Sequence, residues 1–177
     1  MHPCLVIRHA AAEDVTASGA DADRRLTDDG HRVMIDAARG LAVTAPAPGL
    51  ILASPHVRAR QTAEIVADAF GGVAVESVEA LAAGASSADI LAMLAHRCDR
   101  PGGGFAIVGH EPDLGRFTSY ALAASARGFH SPRKGGVALL EFPATPRAGN
   151  ATLEWILEPQ HLRAVGLQSL ADSASAG

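Results

Sequence analysis

Short apolar runs alternate with amphipathic stretches along most of the chain. Residues 5–7 form the first run, stopped by the charge of Arg8, and predict a buried strand. "LTDDGHRVMIDAARGLA" then offers Thr27 as an N-cap, Asp28 and Asp29 in the first turn, and Val33, Met34, Ala37, Ala38 and Leu41 at helical spacing. Residues 50–53 are a second apolar run. It ends in Ser54-Pro55, which reads as an N-cap followed by proline at the first position of a helix reaching Phe70. Residues 73–75 are a third strand candidate, and "SSADILAMLAHR" places Ile90, Leu91 and Leu94 on one face of a capped helix. Residues 105–108 form a fourth run and residues 114–124 a further helix. Residues 137–142 and 153–157 predict a closing hairpin across the turn-rich "PATPRAGN". Residues 10–24 read as a loop, and residues 164–177, small and polar, as a flexible tail.

Strands separated by helices predict a three-layer α/β/α fold, a mostly parallel central sheet with helices on both faces. With 177 residues and 48% hydrophobic content, the chain suits one core, and a single domain is expected over residues 1–163. The balance of 15 Lys+Arg against 19 Asp+Glu, net −4, gives no global field for nucleic acid or an anionic membrane, so neither is expected as a partner. No run approaches 18 apolar residues, and no leader pattern precedes the first strand, so a cytoplasmic protein is expected. Cys4 and Cys98 are far apart and lack C-x-x-C spacing; both are expected to be reduced and incidental. His2, His31, His56, His96, His130 and His161 show no metal-ligand spacing and read as loop or polar-face residues. No metal site is expected.

In parallel sheets ligands collect beyond the carboxyl ends of the strands. After the first strand come Arg8 and His9, after the second Ser54 and then Arg58, and after the fourth His110. Arg58 falls near the positive N-terminal end of its helix, a conflict that an anion would relieve. Arg8 and Arg58 could fork onto one phosphoryl group, with His9 and His110 as nucleophile and further donor. Arg60 points to another side of the helix. Ser54 reads as a cap, and Lys134 and Glu111 as surface residues.

"RHA" at the first exit, "RRLTDDG" at 24–30, "SPHVRARQTAE" at 54–64 and "VGHEPDLG" at 108–115 resemble the histidine phosphatase superfamily, which is phosphoglycerate mutase-like in fold. "EALAAGASSADILAML", "GGVALLEF" and "LEWILEPQHLR" resemble its SixA-type phosphohistidine phosphatases. The resemblance, from residue 4 to about 163, implies His9 as a nucleophile that becomes a phosphohistidine. It implies Arg8, Arg58 and His110 as binders of the phosphoryl oxygens, and no metal or cofactor. The implied substrate is a phosphorylated histidine-containing protein.

Two departures from the family pattern bear on the chemistry. Ala10 replaces a commoner glycine. Many members hold a proton donor in the loop after the third strand, here "SVEALAAGA" with Glu79; with Leu81 aligned to the SixA-type pattern, Ala80 falls where a carboxylate could sit. Glu79 and Glu13 are the candidate acids. An alcohol leaving group needs such an acid, whereas an imidazole leaving a phosphoramidate needs much less help. Two alternatives stay open: a small-molecule phosphomonoesterase for a sugar or nucleotide phosphate, and a non-catalytic module that binds a phosphorylated partner.

Overall fold

The computed structural model describes residues 1–98, 104–128 and 130–175. Six strands, β1 (His2–Arg8), β2 (Leu50–Ala53), β3 (Val75–Ser77), β4 (Phe105–Gly109), β5 (Val137–Phe142) and β6 (Thr152–Leu157), form one sheet in the order β3-β2-β4-β1-β5-β6. The pairs β3/β2, β2/β4 and β4/β1 are parallel, while β5 is antiparallel to both β1 and β6. Of the six, then, β5 alone runs against the others.

The continuous apolar character of the central strands follows from helices on both faces. Side chains alternate. Leu5, Ile7, Ile51, Ala53, Ala106 and Val108 enter one core with Met34 and Leu41 of α1 (Asp28–Thr44) and Val66 of α2 (Val57–Ala69). Cys4, Val6, Leu50, Leu52, Phe105 and Ile107 enter the other, against Ile90 and Leu94 of α3 (Ser87–Ala95) and Phe117 of α4 (Asp113–Ala123). The expected Thr27 cap is present, its hydroxyl accepting the Gly30 amide. No disulfide joins Cys4 and Cys98. Among the described residues no helix is long and apolar enough to cross a membrane.

Several boundaries differ from the sequence reading, β1 for one reaching back to His2. The third strand begins at Val75, because the Gly72 amide turns back to Ala67 O and Gly71 and Gly72 adopt positive φ, so residues 73–74 complete the turn. The helix after β2 begins at Val57 with His56 as its N-cap, and Ser54 lies ahead of it.

The largest difference is at the end of the chain, where residues 164–175 are not a tail. They continue α5 (Pro159–Ser175), whose buried Leu162 joins the α1 core. Gly40 and Gly166 let the two helix backbones meet: a Cβ on Gly166 would lie 3.0 Å from the Gly40 amide nitrogen. Small residues that look like tail composition are here a contact surface. Leu167 and Leu170 remain exposed, so no apolar stripe announces the helix.

Candidate active site

Strand order makes neighbours of the three exits singled out in the sequence. β4 lies between β2 and β1, and its register sets Gly109 opposite Arg8 and Val108 opposite Ala53. The His9 amide bonds Gly109 O and the Ser54 amide bonds Val108 O, so pairing carries the chain just past the sheet on both sides of His110. Three consecutive strand ends thus deliver His9, His110 and the start of α2 to one edge.

His9 is buried, and its Nδ1 lies 2.7 Å from Ala10 O. A carbonyl only accepts, so Nδ1 carries the proton and Nε2 presents its lone pair. Burial lowers the pKa of the ring from 6.5 to about 4. The hydrogen bond to Ala10 opposes that shift, and the charges of Arg58, Arg8 and Lys134 reinforce it. Lys134 is exposed as read, yet close enough for its charge to act on His9. The small Ala10 is itself buried, with its amide on the Thr62 hydroxyl.

Arg58, only 5% exposed, donates from Nε to His9 Nε2 at 3.3 Å. Its Nη1 donates to the backbone oxygen of Asp21 at 2.6 Å and its Nη2 to Asp21 Oδ2 at 2.8 Å. Asp21 belongs to a short 3-10 turn, Asp21–Asp23, on an arm leaving β1. The arm is closed at its base by the Ala12/Leu26 bridge and the Glu13 amide on Arg25 O. Gln61 of α2 accepts the Leu26 amide at 2.8 Å, which fixes the arm to the helix that carries Arg58. Hydrogen bonds from Arg24 and Arg58 lower the Asp21 carboxyl to about 2.

His110 is buried between two other imidazoles, its ring centre 5.1 Å from that of His9 and 4.7 Å from that of His56. Its Nε2 bonds the Ser54 hydroxyl at 2.8 Å, and its buried Nδ1 has no partner. Ser54 Oγ also accepts the His56 amide at 3.3 Å. It therefore serves His110 as well as the helix entrance. Desolvation, with His9 and Arg58 beside it, lowers His110 to about 3. Burial and Arg58 also lower His56, while Asp21, 3.7 Å away, and Glu79 oppose that shift.

Arg8 adjoins this group. Its Nη1 is tied to Pro132 O at 2.8 Å, and its buried Nε has no partner. Glu13 turns one carboxylate oxygen to the Arg25 amide, 3.3 Å away, at the base of the arm. Glu79 is exposed, and its charge acts on His56. Glu111 is not the surface residue its motif suggested. It is half-buried, Ser131 and the Gly115 amide bond its carboxylate, and desolvation raises its pKa.

Asp21 and His56 are the residues that sequence reasoning missed. No spacing marks Asp21, which lies in an irregular arm; its one signal is that a buried Arg58 needs a carboxylate. His56 was visible inside "SPHVRARQTAE", but a lone histidine at a helix start carries no pattern. Among the described residues no three His, Cys, Asp or Glu side chains converge so as to hold a metal ion.

The family model of the histidine phosphatase superfamily (branch 1) matches residues 4–83. An uncharacterized protein of Picosynechococcus is 37% identical over 132 residues, covering 73% of this chain and 79% of its own. Among solved structures, the protein histidine phosphatase SixA complexed with tungstate is similar with a TM-score of 0.78 at 22% identity, over 90% of this chain and 99% of that one. A protein from Agrobacterium tumefaciens assigned as phosphohistidine phosphatase SixA gives 0.72 at 25% identity, over 89% and 98%.

Proposed function

The chain belongs to the histidine phosphatase superfamily and has its phosphoglycerate mutase-like three-layer fold, and from that premise we propose that it is a SixA-type phosphohistidine phosphatase acting through a covalent intermediate on His9. Family and fold support phosphatase activity. The observation that carries the finer reading is the state of His9, neutral at physiological pH, with Nδ1 held by Ala10 O and Nε2 facing Arg58.

In this reading His9 Nε2 forms a bond to phosphorus as the phosphorus–nitrogen bond of the substrate breaks. The leaving imidazole, protonated on its far nitrogen, departs neutral. Water then attacks phosphorus, the bond to His9 breaks, and both protons of the water leave with inorganic phosphate. Through both steps Nδ1–H stays on Ala10 O, which supports the positive charge on the phosphorylated ring. Arg58, His110 and Arg8 supply donors for the phosphoryl oxygens, whose charge spreads in the loose transition state. Neither displacement calls on a metal or cofactor.

A phosphohistidine substrate is favoured because the charges acting on His9 come from the cations Arg58, Arg8 and Lys134, while Glu13 is engaged at the base of the arm. One observation favours the phosphomonoesterase reading: Glu79 acts on His56, whose ring packs at a tilt against that of His110. The test is phosphate release from a phosphohistidine peptide, an aryl phosphate and a sugar phosphate. Preference for the phosphoramidate supports the proposal. Preference for the sugar ester moves the protein to the small-molecule phosphatases, and phosphate binding without turnover makes it a binding module.

A further inference from the structure

Arg58 meets two different partners on two edges of one planar guanidinium. Its end edge, Nη1 and Nη2, is taken by the backbone oxygen and Oδ2 of Asp21. Its side edge, formed by Nε–H and the second N–H of Nη2, is turned to His9, where Nε lies 3.3 Å from Nε2. A guanidinium has five donors in a fixed fork, so fixing one edge fixes the direction of the other.

Asp21 is itself held. Its Oδ1 accepts from Arg24 Nη1 at 2.8 Å while Oδ2 serves Arg58, and Arg24 Nε bonds Glu13 O at the base of the arm. The carboxylate bridges two arginines and is braced through both.

We infer that Asp21 is a positioning residue: by occupying the end edge of Arg58 it aims the side edge at the phosphoryl group on His9. The inference rests on the proposed phosphoryl chemistry at His9. It does not have Asp21 touch substrate. Removal of the carboxylate lets the guanidinium turn within a site that already holds Arg8 and Lys134, and the two donors then no longer meet the equatorial oxygens together. The effect falls on the transition state, so kcat changes more than KM.

The alternative is that the carboxylate competes with the phosphoryl group for Arg58, and the two ideas give opposite results. The experiment compares wild type, Asp21→Ala, Asp21→Asn and Arg58→Ala in turnover of a phosphohistidine peptide, in inorganic phosphate binding by calorimetry, and in Tm. The Asp21 side chain is 56% exposed, so the fold is expected to survive its loss. Positioning requires Asp21→Ala to lower kcat about tenfold or more, as expected for a donor set out of line, with KM, phosphate affinity and Tm little changed. Asp21→Asn, whose amide oxygen still accepts, restores part of kcat. Tighter phosphate binding with equal or faster turnover in Asp21→Ala overturns the inference, as does an unchanged kcat. If wild type turns over and Arg58→Ala loses turnover and phosphate binding while Asp21→Ala keeps the wild-type kcat, only the role of Asp21 fails. If wild type neither binds phosphate nor turns over, the reading of the site fails and takes this inference with it.

Discussion

Arg58 Nε stands 3.3 Å from His9 Nε2, so a buried cation and an unprotonated ring nitrogen, 49 residues apart in sequence, address the same point. A guanidinium beside an imidazole would be repulsive if the ring were charged. Burial keeps the His9 ring neutral, and the charge of Arg58 adds to that.

Replacing Arg58 by lysine keeps the charge and removes the fork. The single ammonium cannot hold Asp21 on one edge and face His9 with another. Arg58→Lys is expected to lower kcat by roughly 10²–10³, the usual cost of one oxyanion donor. Steady-state kinetics on a phosphohistidine peptide would read this directly, and near-normal turnover would show that charge alone suffices.

His9→Ala is expected to reduce phosphate release to background while the circular dichroism spectrum stays that of wild type. Acid-stable labelling is the wrong readout, because a phosphohistidine is acid-labile. Alkaline quenching after mixing with labelled substrate should capture phosphoenzyme in wild type and none in the variant. Label retained in His9→Ala would place the nucleophile elsewhere.

The sheet was legible because each central strand is buried on both faces and so reads as an unbroken apolar run with a polar residue, a charge or an imidazole just beyond it, as at residues 5–7 before Arg8-His9. Strand order was not legible. That β4 separates β2 from β1 depends on long-range pairing, and it is what brings His110 between His9 and His56. Asp21 escaped for a related reason, since its partner Arg58 is 37 positions away across an arm without periodicity. The helix at 159–175 escaped because Gly166 serves a close backbone crossing, and glycine in such a place looks like a break.

In the proposed mechanism the depressed pKa of His9 would set the acid limb of the activity. The ring stays neutral until pH falls toward about 4, so kcat/KM should hold level from pH 7 to about 5 and drop only below that. An acid limb centred at 6.5, the pKa of an unperturbed histidine, would contradict the burial argument.

Stability should follow a different course over the same range. His9 and His110 titrate near 6.5 when unfolded and at about 4 and about 3 when folded. Below 6.5 the unfolded chain binds protons that the folded one refuses, so stability falls as pH drops from 6.5 toward those folded values. Each unit of difference amounts to about 1.4 kcal/mol. Thermal melts at pH 7, 5 and 4 should show a progressive loss, smaller in His110→Gln, which has no such proton to refuse. An equal loss in that variant would assign the acid sensitivity to other groups.

The docking of α5 is open to the same kind of test. A Cβ added at Gly40 would overlap the backbone carbonyl of Leu162, so α1 and α5 would have to move apart to admit it. Gly40→Ala should therefore cost about 1–3 kcal/mol despite alanine's better helix propensity, lowering Tm by several degrees at this chain length, about 2–4 °C per kcal/mol. Leu167→Ala, at a side chain 60% exposed on the same helix, should stay within about 0.5 kcal/mol. A chain whose last residues frayed from α1 would tolerate both changes alike, so the contrast between the two melts decides whether the packing of α5 on α1 exists in solution.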